Sequence, residues 1–275
     1  MGGIAEIIGA GRLRVPDTAQ FDPYAIMHSG QVFRYFPIES GYRVIAGKHF
    51  ADIKKDGSAA LIDCDDAEYF FNYFDFAADY NAVKRGLYEY RAIRPAIDAG
   101  GGIRILRAEF AETVISFIIS ANNNIKRFTK TLNLLAARYG EKLPCGDYSF
   151  PALSRLAALT EFDYASLGCG YRAAYLVKAV DRLLNLDEDA LAALDNDALR
   201  RELLKIEGVG PKVCACVMLF CGRFHRLDTA PVDTWIAKAL ESLPQDDGRA
   251  LTDHEYAGIA QQYVFYYLQH LHMNL

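Results

Sequence analysis

A helix that must stop, turn and restart within three residues is the tightest constraint in this sequence. The apolar spacing reads as helix before Gly208-Val209-Gly210 and as helix again from Pro211, and two glycines in three residues permit a turn too sharp for most side-chain-bearing residues. Pro211 suits the first position of the second helix, where its missing N–H would be unpaired in any case. Such a hairpin lets backbone approach a ligand closely, and the positive end of the second helix favours an anion such as a phosphate. Ordinary helix connections also use Gly-x-Gly, so the turn alone leaves both readings open.

The rest of the chain organises around that helical region. Its 275 residues suit one large domain or two modest ones. With 52% hydrophobic and 24% charged residues the balance is that of a packed globular protein, which excludes general disorder. No stretch approaches the roughly 18 apolar residues of a membrane span. Met1 to Pro16 lacks the charged head and apolar run of a secretory signal, so the expectation is a soluble cytoplasmic protein. Gln31 to Phe36 and Tyr42 to Lys54 alternate apolar with polar residues, and Asp56-Gly57 precedes a third apolar run ending near Cys64. These are hairpin signals for an antiparallel sheet. Asp63 to Tyr80 mixes acids with aromatics, as an amphipathic segment against that sheet would. Arg94-Pro95 and Gly100-Gly101-Gly102 break the pattern.

Beyond the glycines, helical spacing dominates: Phe110 to Ala121, Lys126 to Tyr139, Arg172 to Leu186, Leu199 to Ile206, Pro211 to Phe220 and Thr234 to Leu240. The expected fold is α+β, with an N-terminal antiparallel β-sheet module over 1–98. A mostly α-helical body over 99–275 follows and includes a last helix over 254–271.

Charge and cysteines narrow the function classes. The net charge is −5, from 30 basic and 35 acidic residues, which argues weakly against nucleic acid, but its distribution matters more than its sum. Residues 51–80 set Lys54 and Lys55 against eight carboxylates, whereas residues 101–140 hold six Lys or Arg against Glu109 and Glu112. That basic stretch is either a solvated helical face or a basic surface on an acidic protein. The six cysteines show no disulfide rhythm. Cys214, Cys216 and Cys221 match no zinc or iron–sulfur spacing and read as buried thiols.

Lys212 falls in the first turn of the second helix, where helices prefer acids. In isolation it reads as a surface lysine. Asp233 follows in Pro231-Val232-Asp233-Thr234, placed to cap the next helix. A lysine with pKa near 10.4 is almost wholly protonated at neutral pH and cannot attack carbon. Bringing it to about 7 takes roughly 4 to 5 kcal/mol. The helix end contributes only about 0.3 to 1 kcal/mol, so burial in a dry pocket is expected to supply most of the rest. A tight carboxylate would push the other way, so no close ion pair between Asp233 and Lys212 is expected in the competent complex.

The helix–Gly-Val-Gly–helix hairpin, Lys212 and Pro231-Val232-Asp233 together resemble the helix-hairpin-helix (HhH-GPD) DNA glycosylase superfamily. Four further motifs are similar to one branch, the 8-oxoguanine DNA glycosylases, over about Ser29 to Phe265. They are Ser29-Gly30-Gln31-Val32-Phe33-Arg34, Asn122-Asn123-Asn124-Ile125-Lys126-Arg127, Gly168-Cys169-Gly170-Tyr171-Arg172-Ala173, and Tyr256-Ala257-Gly258-Ile259-Ala260-Gln261 leading to Phe265.

The resemblance implies a bifunctional glycosylase and AP lyase. Lys212 would attack C1′ and form a Schiff base that permits β-elimination, while Asp233 stabilises positive charge on the deoxyribose. The carbonyl of Gly30 would accept a hydrogen bond from N7–H, the donor that guanine lacks. Cys216 and Phe265 would sandwich the flipped base, with Gln261 on its Watson–Crick edge. Tyr171 would wedge the stack, and Asn122, Arg127 and Arg172 would read the orphaned cytosine. Gly208, Val209 and Gly210 would grip DNA.

The last helix points the same way from spacing alone. Tyr256, Ile259, Ala260, Tyr263, Val264, Tyr267 and Leu271 form one apolar stripe, leaving Gln261 and Phe265 together on another face, either packed on another element or lining a pocket. Cys216, four residues after Lys212, shares its helix face, beside a core stripe of Val213, Val217 and Phe220.

Trp235 stands where animal relatives have a phosphate-contacting histidine, which leans towards a bacterial-type enzyme. No cofactor is implied; a cation at the carbonyls of Leu204, Ile206 and Val209 rests on resemblance. The expected partner is double-stranded DNA containing oxidised guanine, bound by a monomer, with no membrane. Two other readings remain: a glycosylase of the same fold for alkylated or other damaged bases, which generally lacks the hairpin lysine, and a non-catalytic helix-hairpin-helix DNA-binding protein, which leaves Lys212, Asp233, Gln261 and Phe265 without purpose.

Overall fold

The structure, a computed structural model, describes residues 4–231 and 251–271. It contains two compact units, one taking in the chain up to Val44, Ala51–Arg107 and the described residues from Arg226 on, the other Ile45–Phe50 and Ala108–His225.

The first unit holds the sheet, apart from the hairpin tip Ile45–Phe50. Its strands are β1 (Glu6–Gly9), β2 (Arg12–Val15), β3 (Tyr35–Ile38), β4 (Gly41–Ala46), β5 (His49–Asp56) and β6 (Ala59–Cys64), in the spatial order β1-β2-β6-β5-β4-β3. The Asp56-Gly57 signal is a true hairpin: Asp56 faces Ala59 and Ile53 faces Ile62, with Gly57 at φ +60° as such turns require. Alternation works as anticipated in β5, where Ala51 and Ile53 are buried and Asp52 is turned to meet Arg43 in a two-pronged ion pair (2.6 and 2.8 Å). The run Gln31–Phe36 differs from expectation, since strand begins only at Tyr35. β1 and β2 lie outside the expected runs; β2 alternates over its four residues, with Leu13 and Val15 buried, whereas all four residues of β1 are exposed.

Two of the acids of residues 51–80, Asp66 and Asp79, serve the backbone, as Asp22 does before them. Helices α1 (Pro23–Met27), α2 (Ala67–Tyr73), α3 (Tyr80–Leu87) and α4 (Arg94–Gly100) follow one another through this unit. Asp22, Asp66 and Asp79 cap the first three by accepting from the N–H groups of Ala25, Tyr69 and Ala82, a contribution of about 1 kcal/mol each. Among the described residues Arg104 is the largest side chain buried completely. Its guanidinium donates to the carbonyls of Phe74 (2.9 Å), Ala78 (2.8 Å) and Asp75, and stands 4.0 Å over the Tyr80 ring. Tyr80 in turn donates to Asp75 (3.2 Å) and accepts from the N–H of Ile105 (2.9 Å).

The second unit is helical: α5 (Phe110–Ser120), α6 (Ile125–Tyr139), α7 (Leu153–Ala157), α8 (Glu161–Ser166), α9 (Arg172–Leu184), α10 (Glu188–Ala192), α11 (Asn196–Leu203) and α12 (Pro211–Phe220). Helix α5 is its axis, buried from Thr113 to Ile119 and packed on α9 and α12, with Phe117 stacked on Phe220 at 5.6 Å. The hairpin tip belongs here because Gly47 donates to the Glu112 carboxylate (2.6 Å) and accepts from Phe150 N–H (2.7 Å).

The last described helix, α13 (Ala257–Leu271), belongs to the first unit, where it packs on α4. A Cβ at Gly100 would stand 3.1 Å from the Tyr263 ring, so the glycine sets how closely the two helices approach. The units thus divide the chain at 107/108 and return its end to the sheet, unlike the 98/99 boundary expected. Periodicity shows that a helix has an apolar face, not which neighbour covers it. The helix also begins at Ala257, preceded by a short 3-10 turn over Leu251–Asp253, rather than at 254.

Replacing Arg104 by Leu removes a donor from the carbonyls of Phe74, Asp75 and Ala78 at once, leaving Asp75 with the Ala78 N–H (3.2 Å), and empties the space of a fully buried side chain. At about 1 to 3 kcal/mol per orphaned buried group, urea unfolding should show a loss of about 3 kcal/mol or more. A loss below about 1 kcal/mol would mean that those carbonyls find other donors.

Candidate functional site

The hairpin forms where the glycines place it. Helix α11 closes through turns from Leu204 to Ile206, and Val209 N–H donates to Ile206 carbonyl (3.0 Å). Gly208 adopts φ +83°, and a Cβ there would meet Tyr175 at 3.0 Å and Ile118 at 3.2 Å. Both backbone conformation and close approach therefore demand glycine. Gly210 precedes Pro211 with open space around it.

Helix α12 is buried at every residue from Val213 to Phe220, while Pro211 and Lys212 are exposed. Burial is not confined to the Val213, Val217 and Phe220 stripe; Cys214 and Cys216 are equally enclosed, Cys216 at 3% exposure. The cysteines behave as packing groups: Cys214, Cys216 and Cys221 are buried free thiols. The expected dry pocket for Lys212 is a different matter. The side chain stands exposed in the first turn, because it is the second residue after a tight turn and the helix points that end outward. The protein's own packing does not supply the drying that a nucleophilic amine needs. Asp233 and Trp235 lie outside the described residues.

The asparagine triplet divides its labour. Asn124 caps α6 by accepting from Arg127 N–H (2.8 Å), and Asn123 donates to the carbonyl of Ile119 at the end of α5 (3.2 Å). Asn122 is exposed at φ +48°, a left-handed conformation that asparagine tolerates better than most residues. Arg172 is 5% exposed, and its guanidinium donates to the carbonyls of Ala121 (2.8 Å), Asn122 (2.8 Å) and Cys169 (3.3 Å) beneath the Tyr171 ring. It ties the asparagine turn to the Gly168-Cys169-Gly170 loop. Burial pushes the Cys169 thiol up to about 11, against the pull of Arg172, so it stays protonated. Tyr171 is 57% exposed, with Tyr175 edge-on at 6.0 Å, and Arg127 is exposed in the first turn of α6. Asn122, Arg127, Tyr171, Arg172 and the hairpin thus belong to the second unit.

The remaining predicted residues belong to the first. Gly30 takes φ +77°, and a Cβ there would stand 3.0 and 3.3 Å from Cε1 and Cζ of Phe265. Residues far apart in sequence are brought into contact, glycine backbone on aromatic edge. Phe265 is half-buried; Gln261, 4% exposed, accepts from Gln262 Nε2 (3.1 Å). Around them is a ring cluster that spacing did not reveal: His28 stacks on Tyr24 at 4.2 Å and His270 on Tyr266 at 4.7 Å, and the two histidines meet edge-on at 6.0 Å. Burial lowers the pKa of His270, opposed by its bond to the Tyr266 carbonyl and aided by His28.

Among the described residues no group of three His, Cys, Asp or Glu could hold a metal ion. The carbonyls of Leu204, Ile206 and Val209 are neutral hard oxygens, a donor set suited to an alkali cation rather than a transition metal. The Ile206 oxygen accepts one hydrogen bond and keeps a second lone pair, so the residues fit such an ion. No described helix is long and apolar enough to cross a membrane.

Comparison with known proteins places these features in one company. Residues 13–114 match the family model "8-oxoguanine DNA glycosylase, N-terminal domain". The structure is similar to that of the Clostridium acetobutylicum 8-oxoguanine glycosylase/lyase in complex with double-stranded DNA containing cytosine opposite 8-oxoguanine. The TM-score is 0.87 and the identity 33%, covering 98% of this chain and 100% of that one. The chain is also 37% identical over 154 residues to an N-glycosylase/DNA lyase of Saccharomyces cerevisiae, covering 50% of this chain and 40% of that protein. It is 33% identical over 180 residues to the N-glycosylase/DNA lyase OGG1 of Arabidopsis thaliana, covering 60% and 48%. These matches span less than half the length of either curated relative.

The contact at Gly30 yields a test in two parts. Gly30→Ala should destabilise the protein by about 1 to 3 kcal/mol through its φ and its encounter with Phe265. In a Phe265→Ala background the penalty should shrink by about 0.5 kcal/mol or more, measured by a urea double-mutant cycle. Strict additivity would contradict the contact.

Proposed function

This chain belongs to the 8-oxoguanine DNA glycosylase/lyase family, and from that premise we propose that it excises 8-oxoguanine from double-stranded DNA and then cleaves the strand. The observation that carries the reading is α12: a helix buried along its length whose exposed first turn holds Lys212 beside the Gly208-Val209-Gly210 turn. The N-terminal dipole there attracts a phosphate, which would seat a nucleotide's sugar near the amine.

In the proposed reaction the deprotonated Lys212 amine attacks C1′, the C1′–N9 bond breaks, and the base leaves with the electron pair. The nitrogen gives up a proton, the departing base anion takes one up, and the C1′–O4′ bond opens with protonation of O4′ to leave a Schiff base; removal of a C2′ proton then expels the 3′ phosphate by β-elimination. Asp233 is assigned the stabilisation of positive charge on the sugar. Lys212 is exposed, so we assign its drying to the bound nucleotide itself. Excluding water around the ammonium is the only available effect large enough, since the helix end contributes about 0.3 to 1 kcal/mol.

Recognition is assigned as the sequence suggests. The Gly30 carbonyl accepts from N7–H, Gln261 meets the Watson–Crick edge, and Phe265 and Cys216 contact the base faces. Tyr171 wedges the stack, supported by its exposure. Asn122 and Arg127 face the orphaned cytosine. Arg172 is assigned to the same cytosine, and its bond to the Asn122 carbonyl couples it to its neighbour there. A cation at the Leu204, Ile206 and Val209 carbonyls would add positive charge near the phosphate. The working compartment is that of the DNA, the cytoplasm and nucleoid, and the working form a monomer.

Borohydride trapping on duplex with 8-oxoguanine opposite cytosine should give a covalent adduct that vanishes in Lys212→Gln. Base release without an adduct would indicate a monofunctional glycosylase, and binding without base release a non-catalytic DNA-binding protein. Phe265→Ala should weaken lesion binding by about 1 to 3 kcal/mol, the range of base–aromatic stacking; unchanged affinity would leave Phe265 a packing residue.

A further inference from the structure

Ser29-Gly30-Gln31 carries a hydrogen-bond arrangement that the reading above does not use. Gln31 is 5% exposed in a stretch without regular secondary structure, and its side-chain amide behaves as a peptide group does in a sheet. Nε2 donates to the carbonyl of Arg104 (2.8 Å) while Oε1 accepts from the N–H of Leu106 (2.8 Å). The other Nε2 hydrogen goes to Oγ of Ser29 (2.9 Å), and that hydroxyl donates to the carbonyl of Ile26 (2.8 Å). Only one amide orientation satisfies this network: reversed, the oxygen would face the Arg104 carbonyl and the NH2 group the Leu106 N–H. The anchor is itself fixed, because the Arg104 guanidinium is bonded to three carbonyls and Ile105 N–H to Tyr80. Between the two tethered residues, Gly30 sits at φ +77° against the edge of Phe265.

We infer that Gln31 is a positioning residue for base discrimination: through Ser29 and the Arg104–Leu106 backbone it fixes the direction of the Gly30 carbonyl. This rests on the proposed role of that carbonyl as the acceptor for N7–H. Discrimination by one acceptor is a matter of aim. A carbonyl held in place meets the N7–H of 8-oxoguanine in line and confronts the N7 lone pair of guanine, whereas one free to swing gives up the bond and relaxes the confrontation. Glycine, with the widest backbone freedom of any residue, would swing unless its neighbours were held, and Ser29 and Gln31 are those neighbours.

The test is equilibrium binding in a Lys212→Gln background, so that no turnover intervenes, to duplexes bearing 8-oxoguanine or guanine opposite cytosine. The readout is the ratio of the two dissociation constants. Gln31→Met, similar in length but unable to bond, should lower the preference for the lesion about tenfold or more. Ser29→Ala, which removes one hydroxyl, should lower it about threefold, with affinity for undamaged duplex within about twofold of the parent in both. Ser29→Ala decides the matter should Gln31→Met not fold. A preference within about twofold of the parent overturns the inference, and so does an equal loss of both affinities, the mark of a merely structural role. A parent that shows no preference at all overturns the reading of Gly30 itself, and the inference with it.

Discussion

Everything in the helical unit follows from enclosing α12 on all sides. A helix buried from Val213 to Phe220 leaves only its first turn open to solvent, and on the proposed reading Cys216 is the one flank residue that meets the base. The open end is where the chain places a tight Gly-Val-Gly turn, a proline that costs no hydrogen bond, and a lysine in a position helices ordinarily give to acids. Enclosure converts a common motif into a fixed point: the amine's anchor, the helix axis and the neighbouring turn keep one geometry because the core around them is close-packed.

The sheet unit holds a buried polar network, and on the proposed reading what that network serves is the aim of a backbone carbonyl. Side chains are aimed by rotamers, but a carbonyl is aimed by the residues on either side of it. Here the means are a buried guanidinium and a buried amide. Arg104 satisfies the carbonyls of a loop that no helix or strand satisfies, and Gln31 extends the same extended segment sideways. Buried polar networks of this kind are stabilising only when complete, which makes them sensitive to single substitutions and well suited to holding one conformation.

Much of this was legible beforehand, and the reasons differ by element. Helix α12 was read with its correct ends because Pro211 and the glycines punctuate it and Phe220 closes its apolar run. The Asp56-Gly57 turn is a local rule that local sequence can express. Arg172 was not legible: its motif suggests a base-reading arginine, and only the fold shows its guanidinium bound to the Ala121 and Asn122 carbonyls. Nor was the exposure of Lys212, since a pKa argument states what the reaction needs and not which molecule provides it. The return of α13 to the sheet unit was hidden because an apolar face names no partner, and the bonds of Gln31 were hidden because their partners, Arg104 and Leu106, lie far off in sequence.

The central claim is that an amine exposed at a helix end becomes a nucleophile when a nucleotide dries it. Acylation of the Lys212 amine, located by mass spectrometry in the free protein and in its complex with duplex bearing 8-oxoguanine, tests this most directly. The account predicts an amine that is labelled readily in the free protein, where it is exposed, and protected in the complex. Equal labelling in both would show an amine that stays wet against the nucleotide, and would contradict it.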